Sequence, residues 1–210
     1  MICFENVSFS YGKKTIIEIL SFSAAAGECL AIAGENGVGK STVLALAAGA
    51  LSPSAGRIAR QGEVGFIPQE PALFSDLSVR DNLRFFAALR GVRLPEAYCL
   101  PLDGVLRKPV GKLSGGMQKR VSIVCADLGA PDIMILDEPC AGLDVNAQAL
   151  LVEQIAAWKR EGRCILYTGH DPQELSAVCD RLLFLQGTQA VAMQDVSAEA
   201  IRKQLQHSAG

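Results

Sequence analysis

The sequence predicts an α/β fold in which a mostly parallel sheet is covered by helices on both faces and preceded by an antiparallel β hairpin. Three observations carry this. Short, almost wholly apolar runs at 29–33, 133–136 and 164–168 read as strands buried on both faces. Stretches with helical spacing alternate with them, which is the pattern of a doubly covered parallel sheet. The opening residues instead alternate in polarity on either side of a Tyr11-Gly12 turn, as the strands of a half-buried hairpin do.

Taken in order, residues 2–9 form the first strand and 15–23 the second. The apolar strand 29–33 leads through a glycine-rich loop into a helix at about 40–49. A strand at 63–67 ends on Pro68-Gln69, and Leu83, Phe86 and Leu89 place a helix over 79–90. Pro95, Pro101 and Pro109 make 91–112 an irregular connector. Then follow a helix at 115–128, strand 133–136, helix 145–160, strand 164–168, helix 172–179, strand 181–185 and a closing helix at 197–206. The expected organisation is one domain over residues 1–210, with a small helical lobe inserted at about 70–130.

Composition narrows the function. Half of the 210 residues are hydrophobic, enough for an ordinary core, and the net charge of −2 provides no broad basic field. No nucleic-acid partner is expected. The most apolar run, 42–51, is far shorter than the roughly 20 residues that cross a bilayer, so a membrane role has to come from docking on another protein. The start, with Glu5 and no basic lead, does not read as a secretory signal. Seven scattered cysteines with no C-x-x-C pair argue against a disulfide framework or zinc site and suit a reducing cytoplasm.

Gly34-Glu35-Asn36-Gly37-Val38-Gly39-Lys40-Ser41-Thr42 fits G-x-x-x-x-G-K-[ST] between a strand and a helix. Such glycines let successive N–H groups turn around phosphate oxygens, and the helix N-terminus adds its positive end. Lys40 would bridge the terminal phosphates and the Ser41 hydroxyl would ligate Mg²⁺. The acidic partner such a loop needs follows an apolar strand: Asp137 for the metal, and Glu138 placed to polarise a water. Together they predict a P-loop NTPase.

The class is decided by Leu113-Ser114-Gly115-Gly116-Met117-Gln118-Lys119-Arg120. Here the chain strongly resembles the ATP-binding cassette family, whose LSGGQ-type signature it matches apart from a methionine ahead of the glutamine. Ser114, Gly115 and Gly116 open a helix and form a second anion cradle. The resemblance implies head-to-tail pairing, in which the signature of one copy caps ATP held by the other. It also implies roles for four further residues. Tyr11 stands where an aromatic ring stacks on adenine. Gln69 resembles the glutamine that reaches Mg²⁺ and the attacking water and senses a transmembrane partner. Asp144, in Ala141-Gly142-Leu143-Asp144, belongs to the segment that crosses the dimer interface. His170 resembles the switch histidine at the γ-phosphate; the other histidine, His207, lies in the tail.

Three departures stand out: Cys140 where a small hydroxyl residue is frequent, Val145 where proline is frequent, and a connector at 91–112 that looks short for the family. Cys140 raises a question of redox sensitivity, and the short connector one of coupling shape. With every family catalytic residue present, real hydrolysis is expected. The implied function is the ATP-hydrolysing subunit of a transporter, peripheral at the cytoplasmic face of the membrane. It would work with separate transmembrane permease subunits and, by preference, a second copy of itself. The stretch 72–91 looks like the lobe entry of export cassettes, so export is favoured over import. The alternative is a soluble cassette ATPase acting in cofactor assembly, translation or repair.

Overall fold

The computed structural model describes residues 1–193 and 195–208. The hairpin forms as expected: β1 (Ile2–Tyr11) pairs antiparallel with β2 (Lys14–Ala24). A strand that the sequence pattern does not announce, β4 (Ala55–Arg60), pairs antiparallel with the other edge of β1, so the hairpin is part of a three-stranded sheet. Ala-Gly-Arg-Ile-Ala-Arg has no alternation of bulky apolar residues and is largely exposed. Its strand character comes from the edge β1 offers, and Gly56 lies so close that a Cβ would sit 2.2 Å from the Asn6 carbonyl oxygen.

The main sheet has the order β5-β6-β7-β3-β8-β9. Here β3 is Cys29–Gly34, β5 Val64–Ile67, β6 Ile133–Asp137, β7 Cys164–Thr168, β8 Arg181–Gln186 and β9 Gln189–Met193. β5 through β8 run parallel, as the sequence indicates; β9 is antiparallel to β8 across a Gly187 turn. No strand is expected after β8 from the sequence, because β9 carries mostly small or polar residues on an exposed edge.

Strand alternation divides the core between the two faces. Leu30, Ile32, Ile133 and Ile135 pack with β1, β2 and α1 (Lys40–Ala48) on one side. Ala31, Met134, Leu136 and Ile165 pack on the other with α3 (Gly115–Asp127) and α4 (Val145–Arg160). The wholly apolar runs are therefore the strands with two buried faces. Gly65 of β5 lets α3 approach: a Cβ there would meet the Ala126 carbonyl oxygen at 2.6 Å.

Between β5 and β6 the chain leaves the sheet for α2 (Val79–Leu89), the irregular connector and α3. Ser78 caps α2 by accepting from the Asp81 N–H. The connector is irregular yet pinned: Leu100, Leu102, Val105 and Val110 are buried, and its Leu106 and Lys108 carbonyls accept from the N–H groups of Arg80 and Val79. α5 (Pro172–Val178) and α6 (Ala198–Ser208) pack together after β7 and at the end of the chain. Among the described residues no helix is long and apolar enough to cross a membrane.

Candidate active site

The loops that follow β3, β6 and β7 emerge from the same edge of the sheet, where parallel α/β sheets bind ligands. They enclose an open cleft of about 410 Å³ lined by Tyr11, Ile16, Asn36, Gly37, Gly39, Lys40, Ser41, Thr42, Gln69, Glu138 and His170. Most of the residues singled out in the sequence are thus brought together. Gly34, Glu35 and Val38 are not on its wall; Glu35 and Val38 face a neighbouring hollow shared with Lys14, Gly187 and Thr188.

The β3–α1 loop is shaped by Gly39, which stands at φ 115° as the N-cap of α1. A Cβ on it would meet Ile16 Cγ2 at 2.7 Å, so only glycine passes beneath β2 here. Lys40 follows at once, 6% exposed, its Nζ donating to the Gly34 and Glu35 carbonyl oxygens at 2.9 Å each. The amine closes the loop on itself. Burial lowers its pKa from the usual lysine value, while Glu138 and Asp137 pull the other way.

Asp137 ends β6 with 3% exposure and accepts a hydrogen bond on Oδ1 from Thr168 Oγ1 at 2.7 Å. The same hydroxyl accepts from the Glu138 N–H at 3.0 Å. Thr168 therefore ties the ends of β6 and β7 together directly behind the cleft. Glu138 has φ 47°, a strained value for a non-glycine residue, of the kind found at functional turns. That turn carries its carboxylate out to Gln69 and His170: Gln69 Nε2 donates to Oε2 at 3.1 Å, and His170 Nε2 lies 2.5 Å from Oε1.

The signature residues lie elsewhere. Ser114 is the N-cap of α3, its hydroxyl accepting from the Met117 N–H at 3.3 Å. Gly116 lies against the segment before α4, since a Cβ on it would meet the Gly142 carbonyl oxygen at 2.8 Å. Arg120 and Asp144, the N-cap of α4, are 3.1 Å apart. The bond from the Ala147 N–H, and then Arg120, hold the Asp144 pKa below the usual aspartate value. Ser114, Gly115 and Asp144 are exposed, and none of the signature residues lines the cleft.

Several residues of this architecture are not evident from the sequence pattern. Ile16 closes the cleft beside Tyr11, which is 54% exposed and edge-on to Phe9 at 4.8 Å. Lys119, 3% exposed, points inward from α3 and donates to the carbonyl oxygens of Pro68 at 3.3 Å and Gln69 at 2.5 Å. A lysine on the apolar face of a helix is the available signal, as is a threonine ending the apolar run of β7. Cys140 is 4% exposed and burial pushes its thiol pKa up to about 11, so the thiol lies sheltered from solvent.

A family model described as ABC transporter matches residues 9–141. The chain belongs to the ABC transporter family. Within it, it is an ATP-binding cassette with ATPase architecture. It is 36% identical over 201 residues to the Nod factor export ATP-binding protein I of Sinorhizobium fredii, covering 86% of this chain and 59% of that protein. Against the protein of the same name from Burkholderia orbicola, identity is 36% over 209 residues, covering 90% and 69%. The chain thus spans about three fifths to two thirds of those relatives. Among solved structures it superposes on an ATP-binding subunit of an ABC transporter with TM-score 0.85 and 28% identity, over 100% of this chain and 95% of that one. It shares the fold of a dimeric ATP-binding cassette in a post-hydrolysis state bound to ADP and Pi, with TM-score 0.79 and 21% identity over 90% and 96% of the two chains.

Proposed function

We propose that this cassette hydrolyses ATP in a head-to-tail pair of identical copies and so drives export through separate transmembrane subunits at the cytoplasmic face of the membrane. One observation carries the pairing. The chain has two glycine-bearing helix N-termini, one lining the cleft and one, at Ser114 and Gly115, exposed outside it, and we read both as anion cradles. A second copy supplies the cradle that the cleft lacks. A fold neighbour described as a dimeric ATP-binding cassette is consistent with pairing.

In this reading adenine stacks on Tyr11 beside Ile16. The phosphates enter the Gly34–Thr42 loop, where Lys40 exchanges the two carbonyl oxygens it now holds for phosphate oxygens. Ser41, Asp137 and Gln69 would hold Mg²⁺; a hydroxyl, a buried carboxylate and an amide oxygen suit its preference for oxygen donors. Bound there, the ion would neutralise charge on the phosphates. Glu138 orients the attacking water and takes its proton, Gln69 and His170 hold the carboxylate at the γ-phosphate, and Asp144 shapes the site of the opposite copy.

Coupling to the membrane partner would pass through Gln69. A groove of about 200 Å³ runs beside it between β5, α2 and α3, walled by Phe66, Pro68, Leu73, Phe86 and Arg90. Lys119 fastens the Gln69 backbone to the signature helix, so movement in the groove reaches both cradles. The names of the relatives favour export over import and over a soluble role.

The test is Glu138→Gln. It should bind ATP, lose turnover by roughly a hundredfold or more, and elute as a dimer with ATP. Undiminished phosphate release would remove Glu138 from its role. For transport, a tagged chain should recover a multi-spanning protein from detergent-solubilised membranes; soluble partners alone would overturn that part and leave the ATPase standing.

A further inference from the structure

Behind the cleft a polar chain runs from the buried Cys140 and Tyr167 to the half-buried Glu174, with no part in the roles above. Cys140 Sγ is 3.4 Å from Tyr167 Oη, and Tyr167 Oη donates to Glu174 Oε1 at 2.5 Å. A tyrosine hydroxyl has one proton to give, so with it committed to the carboxylate the Cys140 thiol donates to the Tyr167 oxygen. The three groups come from three elements: the turn after β6, the penultimate residue of β7, and the first turn of α5. Cys140 is 4% exposed and Tyr167 fully buried.

The chain braces the His170 turn. Tyr167 precedes Thr168-Gly169-His170, and Glu174 follows His170 by four positions, in the first turn of α5. The carboxylate lies against the turn itself, since a Cβ on Gly169 would sit 2.7 Å from Glu174 Oε1. At the other end Cys140 follows Glu138 across Pro139. The two ends of the 2.5 Å Glu138–His170 contact are therefore joined a second time, through the interior. Apolar packing alone would hold α5, through the buried Leu175 and Val178. A half-buried carboxylate is a poor way to add stability, and burial raises the Glu174 pKa. Asp171 caps α5 by accepting from the Gln173 N–H at 2.8 Å. The directional Tyr167–Glu174 hydrogen bond, unlike packing, ties the first turn of α5 to β7 and with it sets where His170 points.

We propose that Tyr167 and Glu174 are positioning residues for hydrolysis, holding His170 against Glu138 through the Cys140–Tyr167–Glu174 chain. The proposal rests on the hydrolysis reading, which wild-type turnover and Glu138→Gln test separately. Tyr167→Phe deletes one oxygen and keeps the ring, and Glu174→Met keeps the length with only a weak thioether acceptor. Both should lower kcat roughly tenfold while the Kd for ATP stays within about twofold, as expected for a misplaced group and not a lost binding contact. Glu174→Gln keeps an acceptor for the tyrosine and should stay within about threefold of wild type. In a His170→Ala background, Tyr167→Phe should cause no further loss, because its effect runs through the histidine. An unchanged kcat in folded Tyr167→Phe, or an equal loss with His170 already gone, would overturn the proposal. If Glu174→Met fails to fold, Tyr167→Phe and the double variant decide.

Discussion

Replacing Thr168 by valine keeps the β-branched shape that suits β7 and removes only the hydroxyl. That oxygen makes a buried bond to Asp137 Oδ1 at 2.7 Å and a part-buried one from the Glu138 N–H at 3.0 Å. A hydrogen bond to a charged group contributes about 1.5–3 kcal/mol, and an orphaned buried N–H costs about 1–3 kcal/mol. The losses share one site and are not additive, so about 3 kcal/mol is expected for Thr168→Val, or roughly 6–12 °C in Tm for a chain of this size. Thr168→Ser restores both bonds and removes one methyl, costing only about 1 kcal/mol. The assay is guanidinium unfolding without nucleotide, with wild type, Val and Ser compared at equal slope. If Thr168→Val unfolded within about 0.5 kcal/mol of wild type, or Ser were as damaged as Val, the hydroxyl would not be the tie between β6 and β7.

Gly39→Ala would force a Cβ against Ile16 Cγ2 at 2.7 Å from φ 115°. Strain of about 1–3 kcal/mol should weaken ATP binding by roughly ten- to a hundredfold, read by nucleotide titration, with circular dichroism unchanged. Arg60 donates from Nε to the Ala47 carbonyl oxygen at 2.6 Å and also bonds the Leu46 oxygen, satisfying the C-terminus of α1. Arg60→Ala should therefore lower stability by about 1–3 kcal/mol in thermal unfolding. The Cys140 thiol is raised from 9.0 to about 11, so the native state holds its proton more tightly than the unfolded chain. Its contribution is complete below pH 9.0 and is lost as pH rises through about 11, on the order of 2–3 kcal/mol. Cys140→Ser, measured by denaturant unfolding across that window, should show a flatter fall than wild type.

The short-range chemistry of this protein is legible in the order of its residues. A glycine-rich loop needs particular residue types at particular spacings, because only those cradle phosphate, and Gly34 to Thr42 have them. Strands covered on both faces need unbroken apolar runs, and β3, β6 and β7 have them. The elements that stay hidden are those whose own residues carry little preference. β4 and β9 exist because a neighbouring edge accepts their backbone, and backbone pairing leaves no mark on side-chain pattern. Thr168, Lys119, Tyr167 and Glu174 are hidden for a related reason. Each is an ordinary residue at its place in the chain and gains its meaning from a partner that only folding brings near, as Thr168 does from Asp137 across 31 positions. The sequence by itself determined the kind of chemistry, through groups that act as local motifs. The tertiary structure alone decided which carboxylate oxygen meets which donor, and that the signature lies outside its own cleft, because those facts depend on distances between segments that no local pattern encodes.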